Sequence, residues 1–450
     1  MRQRGGTRAS WPALGTVPSP GCGRRIRTLG RGGCPGNHSA SGTGSADEDV
    51  PAPPLWQNRA FVNRLRTVPV PLESKLPNVG TTIFTVMSKL AADEGAINLS
   101  QGYPDFDGPA ELLERVSYYL NRGYNQYPPM SGIEPLRQAI AGKVANLYGI
   151  SVDPESEVTV TSGATEALFC AINAVVHAGD EVIVFDPCYD SYEPAVTLAG
   201  GVCRHLPLYA PDFHVDWDRV HDAIGPKTRL VIVNTPHNPT GAVWNQDDIA
   251  GLRSVLARGD IYVVGDEVYE HILFDGRAHV SLCRYPDLFA RSFVVSSFGK
   301  TYHTTGWKVA YCVAPAGLSA EFRRVHQFVT FTTATPLQYG IADFLKSCPE
   351  HHENLGAFYQ AKRDLFCGLL AESRFRLTPS AGTFFQLVDY GQISNEPDAE
   401  LARRWTVEKK VASIPISVFY EEPPTQTYLR FCFAKDDATL ERAAETLCEL

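Results

Sequence analysis

The sequence predicts an α/β fold: a mostly parallel sheet with helices on both faces, followed by a smaller α+β domain. Three observations carry this. From about residue 90, β-rich and helix-periodic segments alternate across short Gly, Pro and Asp turns. After Thr335 the pattern changes to long helices and then mixed segments. The turns that come after successive strands carry polar, reactive residues, and open α/β sheets bind ligands at those strand ends.

Taken in order, 158–161 is β-rich, 164–177 has helical apolar spacing, and 181–185 is β-rich again. Strands are predicted over 229–234, 261–266, 293–297 and 309–313, with a helix over 247–257. Helices over 338–347 and 355–372 come next, and no internal repeat is visible. The expected division is a disordered leader and linker over 1–55 and an arm over 56–89 that packs with the small domain. The large cofactor-binding domain takes 90–335, and the small C-terminal domain 336–450.

With 450 residues, 44% hydrophobic and 20% charged, the chain can bury a large core, which excludes a disordered protein. No window approaches ~18 consecutive apolar residues, so no transmembrane helix is expected. Net charge of −9 argues against nucleic acid as a partner, because phosphate backbones need a basic face. Residues 1–46 carry +7, all from arginine, so the remainder carries −16. That leader is rich in Gly, Ser and Pro and cannot bury enough surface to offset its chain entropy. Its composition is also that of an organelle transit peptide, but an amphipathic apolar face is missing. A start assigned too far upstream, or a tail without function, is the plainer reading, with a cytoplasmic location. Eleven scattered cysteines contain no C-x-x-C pair, so no zinc or other metal site is expected and a reducing compartment fits.

Five strand ends present Ser162-Gly163-Ala164-Thr165, Asp186-Pro187-Cys188-Tyr189, the 234–239 run NTPHNP, Asp266-Glu267-Val268-Tyr269 and Ser297-Phe298-Gly299-Lys300. Together they meet the needs of one cofactor, pyridoxal 5'-phosphate. A lysine must hold the aldehyde as a Schiff base and shuttle the substrate α-proton, which assigns Lys300. A carboxylate must keep the pyridine nitrogen protonated; Asp266 ends a buried apolar strand, where a pyridinium partner resolves the cost of its charge. Asn238 and Tyr269 are placed to hydrogen-bond the ring 3'-oxygen, and Tyr189 to cover the ring face. Gly163, Ala164 and Thr165 open a helix directly after a strand, which suits a phosphate; Ser297 and Lys308 add a hydroxyl and a charge.

Singly, each residue has an ordinary alternative. A Lys after Gly is usually solvated, Asn-Pro forms turns, and Ser-Gly caps helices. Gly299-Lys300-Thr301 resembles the end of a P-loop, but position 294 is Val where that motif needs Gly. It is their order at successive strand ends that excludes coincidence.

The strings NTPHNPTG (234–241), DEVYEH (266–271) and SSFGKTYHTTGWKV (296–309) resemble the class I/II aminotransferases of pyridoxal-phosphate fold type I. So do INLSQGYPDFDGP (97–109) and LRFCFAK (429–435), and the likeness runs from about Lys75 to the C-terminus. Within that family, DPCYDSYEP (186–194) and VHQFVTF (325–331) look most like the branch of methionine and kynurenine aminotransferases and glutamine transaminase K. The resemblance implies that Arg430 grips the substrate α-carboxylate and that Gly102 lies against it, with Asn238 also at the substrate. It implies that Tyr127 reaches a neighbouring subunit's phosphate, which makes the enzyme a homodimer with shared active sites; loop packing is the alternative for that tyrosine. Cys188, where relatives carry Ser or an aromatic, reads as space-filling.

The cofactor residues and the resemblance together imply a transaminase. It moves the amino group of methionine, or another large apolar or aromatic amino acid, to a 2-oxo acid by ping-pong kinetics. A β-lyase acting on cysteine S-conjugates or cystathionine shares every cofactor residue and is the alternative. A regulator without turnover would lack Lys300 or Arg430, and both are present. Phe331 and the Ile83-Phe84 segment are candidate substrate-pocket residues.

Overall fold

The computed structural model describes residues 72–425 and 427–450; the expected leader and the first part of the arm, to residue 71, lie outside the described residues. The strands in chain order are β1 (Ile97–Asn98), β2 (Val158–Thr161), β3 (Glu181–Asp186), β4 (Val202–Pro207), β5 (Thr228–Asn234), β6 (Tyr262–Asp266), β7 (Ser292–Ser297) and β8 (Ala310–Val313). They are followed by β9 (Phe385–Asp389), β10 (Val411–Ala412), β11 (Ile414–Pro415) and β12 (Tyr428–Cys432). Strands β2 to β8 form one seven-stranded sheet in the order β2-β8-β7-β6-β5-β3-β4. Only β8 runs antiparallel to its neighbours, so the sheet is mostly parallel, as the alternation predicted.

The strands are near-continuous apolar runs because both sheet faces are covered. Along β3, Val182 and Val184 pack on one face with the helix Ala164–Val175, while Ile183 and Phe185 pack on the other with the helices Glu134–Tyr148 and Gln246–Leu256. The same period-two division separates Leu230 and Ile232 from Val231 and Val233 on β5. Residues 73–450 form one compact unit. Within it a further core gathers Phe366, Phe431 and Leu440 from the C-terminal region with Met87 from the helix Ile83–Glu94. That core is built on a small antiparallel sheet, β11-β12-β9. The helix Thr335–Ser347 buries Ile341 and Phe344 against the large sheet's core.

One edge of the large sheet collects the chemistry. β3, β5, β6 and β7 are parallel, so Asp186, Asn234, Asp266 and Ser297 end side by side. β2 ends at the same edge, because Thr161 and Ser297 both lie opposite Ala310. No helix among the described residues is long and apolar enough to cross a membrane.

Candidate active site

A cavity of about 170 Å³ opens at this edge. Gly163, Ala164, Thr165, Tyr189 and Asn238 line it on one side; Asp266, Tyr269, Ser297, Lys300 and Lys308 complete it. These are ten of the eleven residues expected at a cofactor, nine from five strand ends and Lys308 from the segment that leads into β8.

Asp266 is the last residue of β6 and is buried. It accepts the Tyr192 hydroxyl at 2.7 Å, and among the described residues it forms no ion pair. Burial pushes its carboxyl up to about 6, against the lowering effect of the Tyr192 bond. Such a charge is costly until a cation faces it, and a protonated pyridine nitrogen is such a cation. Lys300 lies in a short turn after β7, its Nζ donating to Gly102 O at 3.0 Å. Burial lowers its amine to about 8, with the Arg430 and Lys308 charges acting in the same direction. The Nζ stands 5.2 Å from the centroid of the Phe384 ring and 5.5 Å from that of Tyr269.

The helix Ala164–Val175 begins at the cavity with no side-chain cap, so its first amides point at the space a phosphate needs. Gly163 has φ of +87°, and a Cβ there would lie 2.8 Å from Lys308 Cε. The missing side chain lets the lysine lie across the turn. Lys308 itself has a left-handed backbone, φ 54°. Tyr189 stands over the cavity with its hydroxyl 3.4 Å from Thr165 Oγ1. The donor set, the uncompensated Asp266 and the open helix end all fit pyridoxal 5'-phosphate.

Gly102 and Arg430 join the site through hydrogen bonds rather than as cavity wall. Arg430 is fully buried on β12; its Nη1 donates to Asn238 Oδ1 at 2.8 Å and its Nη2 to Ser100 O at 2.9 Å. Among the described residues its Nε has no partner, and burial brings its guanidinium down to about 10. The guanidinium lies 3.9 Å from the Phe385 ring centroid and 5.2 Å from that of Phe84. A Cβ on Gly102 would sit 2.7 Å from Phe385 Cζ, so this loop needs glycine to lie against that ring. Since Asn238 Oδ1 is taken by Arg430, its amide nitrogen remains as the donor into the cavity.

Tyr127 is not brought to the cavity of its own chain: it is 84% exposed and meets the Phe331 ring edge-on at 5.6 Å. Cys188 is buried, and burial pushes its thiol well up, which leaves it an inert space-filler. Sequence reasoning missed two residues. Tyr192 holds Asp266 from 74 residues away, a bond that no local pattern announces. Asn234 donates to Asp266 O at 2.7 Å and accepts the Asn238 N–H at 2.8 Å, stitching two strand ends together.

A lysine amine and an uncompensated carboxylate across one cavity at the strand ends of a mostly parallel sheet define a pyridoxal-phosphate enzyme. The chain belongs to the class I and II aminotransferase family, whose profile matches residues 94–447, and its cofactor is pyridoxal 5'-phosphate. It is 52% identical to the methionine aminotransferase of Escherichia coli over 378 residues, 84% of this chain and 98% of that protein. The solved structure of the Escherichia coli protein YbdL, reported as having a methionine aminotransferase function, superposes with a TM-score of 0.83 over 85% of this chain and all of that one. N-succinyldiaminopimelate aminotransferase from Mycobacterium tuberculosis is 36% identical, covering 84% of this chain and all of that structure, TM-score 0.82. A kynurenine–oxoglutarate transaminase from Dictyostelium discoideum is 30% identical over 431 residues, 87% of this chain and 99% of that protein.

Proposed function

We propose that this aminotransferase takes methionine, or another large apolar or aromatic amino acid, as donor and a 2-oxo acid as acceptor. One observation carries the reading: 52% identity across nearly the whole of a methionine aminotransferase, here joined to a carboxylate-binding corner walled by Phe84 and Phe385. When bound, pyridoxal phosphate accepts the electrons left as the substrate Cα loses its proton.

The chain's own residues do the rest. Lys300, already lowered to about 8, takes the Cα proton as a neutral amine and returns one on the other side of the reaction. Asp266, held by Tyr192, would keep the proton on the pyridine nitrogen. Of the residues lining the cavity, Asn238 and Tyr269 would hydrogen-bond the ring 3'-oxygen, and Tyr189 would cover the ring face. Gly163, Ala164, Thr165, Ser297 and Lys308 would hold the phosphate. Arg430 turns its unpartnered Nε and its fork to the substrate carboxylate beside Gly102, a geometry lysine cannot offer. Donor and acceptor use this one site in turn, which gives ping-pong kinetics.

The enzyme works as a homodimer with shared sites. In support, Tyr127 is exposed beside Phe331, and Phe328 on the neighbouring helix Ala316–Val329 is 86% exposed, a cost an isolated chain has no reason to bear. Its nine described cysteines are all free thiols, which suits the cytoplasm. The division into a large cofactor domain and a small C-terminal domain is part of the same reading, supported by a core centred on Phe366, Phe431 and Leu440 beside those that cover the large sheet.

A single turnover tests the function. Concentrated enzyme receives L-methionine and no 2-oxo acid, while the cofactor's visible spectrum and the products are monitored. Conversion to the pyridoxamine spectrum with one 4-methylthio-2-oxobutanoate per site is expected. Methanethiol release with an unchanged cofactor would replace the transaminase by a lyase.

A further inference from the structure

The cavity's phosphate end contains an apparent contradiction. Glu166 sits in the first turn of the helix Ala164–Val175, one residue beyond the phosphate cradle, and a bare carboxylate there repels a phosphate dianion. The structure answers with His326, fully buried, on the helix Ala316–Val329. Its Nδ1 lies 2.7 Å from Glu166 Oε1, and its Nε2 lies 3.0 Å from Met130 O.

The partners fix the proton count. A carbonyl oxygen only accepts, so Nε2 carries a hydrogen. Glu166 Oε1 also receives Cys170 Sγ at 2.9 Å, and Oε2 receives the Ser162 N–H at 3.0 Å. With the Nε2 hydrogen committed to Met130 O, one hydrogen lies between Nδ1 and Oε1, because two bare acceptors 2.7 Å apart repel, and whichever atom holds it the count is the same. The pair is neutral as a unit, which leaves the helix end free to attract an anion. Through Ser162 it also holds the first residue of the turn in place.

We propose that His326 is a positioning residue for cofactor binding: paired with Glu166, it cancels the carboxylate beside the phosphate cradle and fixes the Ser162–Thr165 turn. The inference rests on the assignment of Gly163, Ala164 and Thr165 to the phosphate. No contact between His326 and substrate is implied.

The test compares two ligands that differ only in that phosphate. Cofactor-free protein is titrated with pyridoxal 5'-phosphate and with pyridoxal, reading the visible band formed at Lys300. In His326→Gln, pyridoxal 5'-phosphate affinity is expected to fall about tenfold, the effect of one uncompensated nearby charge, while pyridoxal affinity changes less than about twofold. The double variant His326→Gln/Glu166→Gln recovers most of the loss. Equal losses for both ligands would mean a merely structural role and overturn the proposal, as would an unchanged ratio. If His326→Gln does not fold, Glu166→Gln reads the same charge from the other side. Its preference for the phosphorylated ligand is expected to stay at or above that of the natural protein, and a fall overturns the proposal. Failure of the natural protein to form the band at all would instead remove the Lys300 assignment beneath it.

Discussion

Two carboxylates four residues apart show how differently one segment treats the same charge. Asp266 has a tyrosine hydroxyl and, among the described residues, no ion pair, and burial pushes it up to about 6. Glu270 is equally buried, yet Lys143 Nζ stands 2.6 Å away and the Tyr311 hydroxyl 3.0 Å, with Tyr148 and Ser296 also donating. Burial opposes its ionisation too, but the Lys143 charge and these bonds hold it well below the usual carboxylate range. Glu270 is complete within the chain. Asp266 lacks a cation that the protein does not supply, and that incompleteness marks which of the two belongs to the chemistry.

The comparison breaks most visibly on Asp266→Asn. Turnover is expected to fall roughly 10³-fold, because an amide cannot hold a proton on the pyridine nitrogen. The cofactor-free variant is expected to melt no lower than the natural protein at pH 8. The raised value sets the sign: ionising Asp266 in the fold costs stability as pH rises from its unfolded pKa, near 3.8, through about 6. Equal losses of stability in Asp266→Asn and Glu270→Gln would erase the distinction. Glu270→Gln strands Lys143 and is expected to cost on the order of 3 kcal/mol in denaturant unfolding, with turnover per folded molecule changed only a few-fold.

Most of the cavity was legible because the parallel strands are mainly apolar until near their ends, so the polar residues that end or follow each one name the functional edge. Asp266, Ser297 and Lys300 were found that way. Tyr192 was not, since its partner lies 74 residues away and no periodicity records such a bond. His326 was hidden in the same way, 160 residues from Glu166. The edge strand β4 escaped notice for another reason: it is only half covered, and Arg204 and His205 interrupt its apolar pattern. The antiparallel entry of β8 is likewise a property of the connection, not of the four residues Ala310–Val313.

Smaller effects sharpen the same contrast. Tyr192→Phe removes the bond that opposes the burial of Asp266, so the acid limb of the turnover profile is expected to move to higher pH, with about a tenfold loss near neutrality. The smallest effect concerns Lys300. Only its neutral amine attacks an aldehyde, so the rate at which cofactor-free protein captures pyridoxal phosphate is expected to climb with pH and level off above about 8. Stopped-flow absorbance measures it, and a flat profile between pH 6 and 9 would contradict the lowered amine.

The loop 100–103 gives three successive cations a carbonyl each to hold: Ser100 O takes Arg430 at 2.9 Å, Gly102 O takes Lys300 at 3.0 Å, and Tyr103 O takes Lys435 at 2.8 Å. These side chains come from 198 to 332 residues further along the chain, so the loop works as a mooring post for distant parts of the fold. Were the Lys300 amine engaged by the cofactor, the Gly102 carbonyl would lose its line while those of Ser100 and Tyr103 would keep theirs, so the loop would stay tied at both ends.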